Sequence, residues 1–305
     1  MVAAPRSRQA QLRVVAAVAL ASWWTYVAQP CIGALGTGCE RWLEPAAADC
    51  VAGRLAARAA APYLGLDETQ QAAFASRHAR YLLADRVDVW AMATRSGRDV
   101  HRWALLEGAR PSEGAFLALT THFGAGMWAH AAFAQRHNSV RFLFQPPSTT
   151  PNRWAHRLAQ LRLGALERSM GHAPLPTGGS AQRIEQWWRD GGGVMALYDA
   201  PHAGRRRCIV LRSQLLGPLE VPAGLFVLAT THRVPVYFYR CLLDDATGQR
   251  RIQVRQPVVT ADLQSLVHMA EQWLDESLRL DPAAWHFWPA LEQLRQGTRG
   301  AYPAP

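Results

Sequence analysis

The 305-residue chain contains no lysine; its 33 basic residues are all arginine. That absence excludes a Schiff-base lysine, a Walker-A lysine and a kinase-type lysine together, and no G-x-x-x-x-G-K-[ST] stretch occurs. Cysteine is sparse. Cys31, Cys39, Cys50, Cys208 and Cys241 form no C-x-x-C pair, which argues against a zinc ribbon or a dithiol redox motif and fits a reducing compartment. Internal repeats are absent, and low complexity is confined to an Ala-rich stretch near residue 55. Acidic residues are outnumbered: 23 Asp and Glu leave a net charge of +10. The partner expected for such a charge is anionic, whether nucleic acid, an acidic membrane surface or a phosphorylated ligand. Arginine favours bidentate phosphate clamps over point charges, although drift toward Arg and Ala in a GC-rich genome gives the same usage. The arginines are scattered and no nucleic-acid motif is present, so nucleic-acid binding is not expected. Hydrophobic residues make up 49% of the chain, enough for a buried core and against bulk disorder.

Residues 1–11 are polar and carry Arg6 and Arg8. Residues 12–28 then form an apolar run of about 17 residues, the lower limit for spanning a bilayer. Arg13 lies near its start, and Trp23, Trp24 and Tyr26 cluster at its far end, where an interfacial aromatic belt would sit. A cleaved signal peptide fits poorly, because Ala28-Gln29-Pro30 is not a small-x-small site. A membrane anchor or interfacial helix and a buried core helix remain, and the flanks favour the membrane-associated helix. Residues 31–61, Ala- and Gly-rich with Arg41, Arg54 and Arg58, read as helical and as a second segment able to lie on lipid. The domain reading is therefore an N-terminal membrane-associated segment over 1–64, an α/β domain over 65–296 and a flexible tail over 297–305.

From Asp67 the pattern is globular. Asp67 is a plausible N-cap, and Phe74, Tyr81, Leu82, Val89 and Met92 recur at helical spacing. The pattern predicts a short helix over 100–107, strands over 115–120, 139–144, 194–198 and 234–240, and helices over 128–136, 152–170, 181–189, 221–231 and 260–280. A turn at 244–248 joins two strands of a hairpin. The alternation predicts an α/β fold with a mixed central sheet flanked by helices.

Two segments carry candidate chemistry. In Thr120-Thr121-His122-Phe123-Gly124-Ala125-Gly126 a buried strand ends, a histidine follows and two glycines open a helix. Ligands of α/β sheets bind at the carboxyl ends of strands. A histidine there suits general-base work, and the Gly124 and Gly126 region offers backbone N–H groups to an oxyanion or phosphate. The second segment, Tyr198-Asp199-Ala200-Pro201-His202-Ala203-Gly204-Arg205-Arg206-Arg207, follows another strand. Its arginines suit a bidentate anion contact. Each segment also has a plain alternative, a packing histidine and a solvated basic loop.

Over roughly residues 65–290 the chain resembles the lipid A biosynthesis (late) acyltransferases of Gram-negative bacteria, within the lysophospholipid acyltransferase-like group. The resemblance lies in the order of blocks. An apolar strand runs into His122-Phe123-Gly124. A strand and proline loop, 140–147, precede an Arg-bearing helix. Gly191-Gly192-Gly193 leads into a strand ending at Asp199. Pro222-Ala223-Gly224-Leu225 runs on to Val234-Pro235-Val236, and an aromatic tail reads Pro282-Ala283-Ala284-Trp285-His286-Phe287-Trp288. The sequence departs from the family at one position. The family places an acid five residues after the histidine, and here that residue is Met127.

The resemblance implies a glycerolipid acyltransferase-like fold on the cytoplasmic face of the inner membrane. It implies transfer of an acyl group from acyl carrier protein or acyl-coenzyme A, as co-substrate, to a hydroxyl or amine of an anionic membrane lipid or lipid-like acceptor. His122 is then the general base, and Asp199 is the carboxylate expected to replace the missing acid. Arg162 or Arg168 contributes from the helix, and Arg205, Arg206 and Arg207 meet phosphate. Neither metal nor redox cofactor is called for. The alternative is a catalytically impaired member of the same fold that binds a lipid or a partner.

Overall fold

The computed structural model describes residues 47–94, 103–111, 113–135, 137, 139–145, 153–200, 207–244 and 247–296. Helices α1 (Ala47–Leu64) and α2 (Glu68–Thr94) precede β1 (Ala104–Gly108), β2 (Phe116–Thr120), α3 (Met127–Ala134) and β3 (Val140–Phe144). Then come α4 (Arg153–Met170), β4 (Leu175–Pro176), α5 (Ala181–Arg189), β5 (Gly193–Leu197), β6 (Cys208–Ser213) and β7 (Gly217–Pro222). The chain continues through α6 (Gly224–His232), β8 (Val236–Leu243), β9 (Arg250–Val254), α7 (Leu263–Leu280) and α8 (Leu291–Gln296).

Seven strands form one mixed sheet in the order β1-β9-β8-β2-β5-β3-β4, and β6-β7 is a separate hairpin. Every pairing in the large sheet is parallel except β8 with β9. Central strands buried on both faces read as continuous apolar runs, and all five residues of β2 are buried. Alternate residues serve opposite cores. Leu117, Leu119, Val194, Ala196, Val236 and Phe238 join the layer of α1, α5, α6 and α7. Phe116, Ala118, Met195, Tyr237 and Tyr239 join the layer of α3 and α4.

Helix α2 serves both layers. At 27 residues it is about 40 Å long. Its Phe74 and Tyr81 pack in the first core and its Val89, Ala91 and Met92 in the second. A reciprocal capping box starts it: Gln70 N–H donates to Asp67 Oδ1 (2.8 Å) and Asp67 N–H to Gln70 Oε1 (2.9 Å). Near its other end Asp88 meets Arg250 of β9, at 2.6 and 2.9 Å, with both side chains almost wholly buried.

Several sequence expectations change. The apolar run 12–28, with the membrane-associated helix assigned to it, lies outside the described residues, as does the tail 297–305. Among the described residues no helix is long and apolar enough to cross a membrane. Residues 47–64, grouped by sequence with the lipid-facing segment, pack against the α/β domain. Ala56, Ala57 and Ala60 are core residues, and small residues let α1 approach α2 so closely that a Cβ at Gly53 would lie 2.3 Å from Ala75 O. The helix expected over 100–107 is instead strand β1 where it is described. Helical spacing in so short a segment gave way to pairing with β9. The helix expected from Val221 begins at Gly224, because Val221 and Pro222 complete the β6-β7 hairpin.

The Asp88–Arg250 pair sets a test of the core. Arg250→Met strands a buried carboxylate and is expected to cost about 3–5 kcal/mol in denaturant melts, whereas the double variant Asp88→Leu/Arg250→Met regains most of that loss.

Candidate active site

Strands β2 and β5 lie side by side and parallel, with Thr120 opposite Leu197. His122 and Asp199 each stand two residues past that last pair, so register alone carries them to the same edge of the sheet. The connections out of these two strands diverge: β2 leads through α3 to β3, and β5 leads through α6 to β8, over opposite faces. Such a switch point opens a crevice at the strand ends.

Asp199 is 1% exposed. A buried carboxylate is costly unless donors surround it, and here every contact is a donor. The His122 backbone N–H donates to both carboxylate oxygens (3.0 and 2.9 Å), His122 Nδ1 lies 2.7 Å from Oδ1, and the Trp285 indole donates to Oδ2 at 2.8 Å. With Nδ1–H given to the carboxylate, the lone pair of His122 sits on Nε2, which has no partner among the described residues. The Phe287 ring lies over the imidazole at 4.1 Å between centroids. A histidine held in one tautomer by a buried acid in this way has the arrangement that general-base chemistry uses.

The segment after α7 builds this site. Trp285 pairs with Phe123 in an isolated antiparallel bridge. His286 N–H donates to His122 O (2.8 Å), and Gly124 N–H to Ala284 O (2.7 Å). Helix α2 holds the segment in turn. Arg77 and the Tyr81 hydroxyl both donate to Asp281, and His78 Nδ1 lies 2.8 Å from Ala283 O.

The sequence candidates divide. His122 and Asp199 come together. Gly124 does not offer its N–H to a ligand, because Ala284 O already takes it. Its φ of +69° and the 1.7 Å that would separate an added Cβ from Cys241 O make it a packing glycine. Gly126 has open space where a Cβ would stand, and as the N-cap of α3 it gives the first turn no side-chain partner. Met127 is buried at the start of α3 among apolar neighbours, so the position where the resemblance expects an acid faces a core and not His122. Arg162 pairs with Asp85 of α2. Arg168, six residues on, donates to Ala93 O at 3.3 Å and ties α4 to the end of α2. Arg207 is exposed ahead of β6. Arg205 and Arg206 lie outside the described residues.

Sequence reasoning did not single out Trp285, Phe287, His286 or Asp85 as site residues. The aromatic tail was visible, but its pairing with the His122 loop is a contact across more than 150 positions that periodicity does not encode. Around the Asp85–Arg162 pair lie two histidines kept neutral. Burial drives His130 down to about 3 and His286 down to about 4.

No family model matches the chain, and no curated protein matches it.

Two measurements probe this site. Gly124→Ala has no room for its methyl and requires left-handed backbone, so it is expected to fold poorly, with a large loss of melting temperature. The neutral histidines give an acid limb. Their folded values lie below the unfolded 6.5, so unfolding takes up protons below that pH. Stability is full above pH 6.5 and falls as pH drops toward 4, by about 1.4 kcal/mol per pH unit for each histidine. Asp88, raised by burial to about 6, offsets one of the two below pH 6. Thermal melts from pH 7 to 4.5 should show the loss, and His130→Leu should flatten it.

Proposed function

We propose that the protein is an acyltransferase that moves a fatty acyl group from an acyl carrier protein or coenzyme A thioester to a hydroxyl, or an amine, of a membrane lipid or lipid-like acceptor. The observation that carries this reading is the His122–Asp199 pair at the ends of adjacent parallel strands. It supplies an oriented base at the position where the block order of the lipid A acyltransferases puts one. Phe287 over the ring and Trp285 on the carboxylate leave Nε2 as the working nitrogen.

Nε2 takes the proton of the acceptor hydroxyl as the oxygen bonds to the thioester carbonyl carbon. The carbonyl becomes an oxyanion. Its collapse breaks the carbon–sulfur bond, and the departing thiolate takes the proton back from His122. The products are an ester and a free thiol. The uncapped start of α3 at Gly126 supplies backbone N–H groups for the oxyanion. Arg162, balanced by Asp85, and the exposed Arg207 present cationic groups to phosphate on the acceptor or carrier. Work at the cytoplasmic face of the inner membrane suits the net charge of +10 and the apolar run 12–28.

The alternative, an impaired member that only binds a lipid or partner, draws its support from Met127, whereas the Asp199 carboxylate on His122 supports the enzyme reading. Purified protein is to be incubated with labelled acyl carrier protein or acyl-coenzyme A and candidate acceptors. Transfer or thioester hydrolysis is expected, lost in His122→Ala and reduced by about 10⁴-fold in Asp199→Asn. Met127→Glu should bring no gain, since it buries a carboxylate in an apolar core. No turnover by the native protein, or full activity in Asp199→Asn, would overturn the reading.

A further inference from the structure

The His122 side chain keeps 28% of its surface open, although its partner Asp199 keeps 1%. Its Nδ1 faces the carboxylate, and its Nε2 has no partner among the described residues and is not one of their sealed, unpartnered nitrogens. Nε2 therefore opens to the surface, where water can reach it. A water molecule there would give a proton to Nε2 as its oxygen bonds to the thioester carbonyl carbon. The carbon–sulfur bond would then break, and the thiolate would recover the proton from His122, leaving a fatty acid and a free thiol. Nothing in the His122–Asp199 pair distinguishes the O–H of water from the O–H of an organic acceptor.

One neighbour of the ring can make that distinction. Phe287 is itself partly exposed and lies over the imidazole, with 4.1 Å between centroids and 39° between planes. Its place does not depend on a ligand. Trp285 and Trp288 on either side are buried, the first bonded to Asp199 Oδ2 and the second to Pro282 O at 2.7 Å. His286 N–H is bound to His122 O at 2.8 Å, and Phe287 O accepts from Ala290 N–H at 2.9 Å. A ring so fixed covers one face of the imidazole and presents apolar surface to whatever hydrogen-bonds Nε2. An alcohol carries carbon beside its hydroxyl and gains contact with that surface. Water brings only polar groups, and those turned toward the ring go unmatched. Exclusion of water in this way is how transfer sites suppress hydrolysis.

We propose that Phe287 is a specificity-determining residue that shields His122 Nε2 from water and so favours an organic acceptor over hydrolysis. This inference rests on the acyltransferase reading.

The experiment compares wild type with Phe287→Ala, which removes the ring, and Phe287→Leu, which keeps part of its apolar cover. Each is incubated with the labelled thioester donor and the acceptor that the wild type uses, and free fatty acid and acylated acceptor are measured together. Both products come from one sample, so their ratio does not depend on how much of a variant is folded. Phe287→Ala should raise the ratio of hydrolysis to transfer about tenfold, the scale of one aromatic contact. Phe287→Leu should raise it less. A second readout needs no turnover: carbethoxylation of His122 by diethyl pyrocarbonate, followed by peptide mass mapping, should run faster in Phe287→Ala than in wild type. An unchanged product ratio or an unchanged rate of His122 modification in Phe287→Ala overturns this inference and leaves the acyltransferase reading intact. A wild type that turns over no thioester removes that reading and the selectivity with it.

Discussion

The carboxylate of Asp199 must be kept in a place from which water is excluded, and much of the local architecture follows from that requirement. A buried carboxylate without donors would be ruinous for so marginally stable an object as a folded chain. Its donors come from two distant parts of the sequence. His122 gives its backbone and ring N–H, and Trp285 gives its indole. The β2–β5 register brings the first to Asp199, and docking of the segment after α7 brings the second. Both must form for the acid to be satisfied, so the site and the closure of the domain depend on each other.

That dependence extends outward through α2. Arg77, His78 and Tyr81 grip residues 281–283, and those residues lead directly into Trp285, His286 and Phe287. The same helix sends Asp85 to Arg162 and Asp88 to Arg250, so one side of α2 carries a row of polar contacts in an otherwise apolar layer. The long helix thus works as a spine against which the loop carrying His122, the aromatic tail and the arginine-bearing α4 are all aligned. Polar contacts of this kind add little net stability over apolar packing, but they admit few alternative arrangements. Positional precision of that sort is what general-base chemistry requires.

Much of this was legible in the chain. The run 115–120 read as a buried strand because continuous apolar residues bounded by turn signals suit a strand buried on both faces, and the strand forms over Phe116–Thr120. Asp67 read as a helix start because a short carboxylate before an amphipathic run satisfies orphan N–H groups; the helix expected from residue 260 begins instead at Leu263, where Asp262 does the same for Gln264 and Ser265. Where reading failed, a distant partner had prevailed over local preference. Residues 104–108 became a strand because β9 offered an edge, and Val221 became a strand because the hairpin of β6 and β7 claimed it. The alanines of α1 suggested lipid, yet small side chains serve equally to bring two helices into close contact.

The sequence by itself determined the class of the fold, the absence of lysine chemistry and the presence of a histidine and an aspartate each just past a buried strand. Those properties are local: they depend on periodicity, composition and residues a few positions apart. Only the tertiary structure decided that the Asp199 carboxylate bonds the ring and backbone N–H of His122, that Gly124 is a packing residue, and that Trp285, His286 and Phe287 lie around His122. The reason is geometric. Parallel strands are joined by long crossovers, so the residues that meet at their ends are 77 positions apart in one case and 86 in another. Register and packing of the assembled sheet bring them together, and no pattern along the chain specifies that meeting.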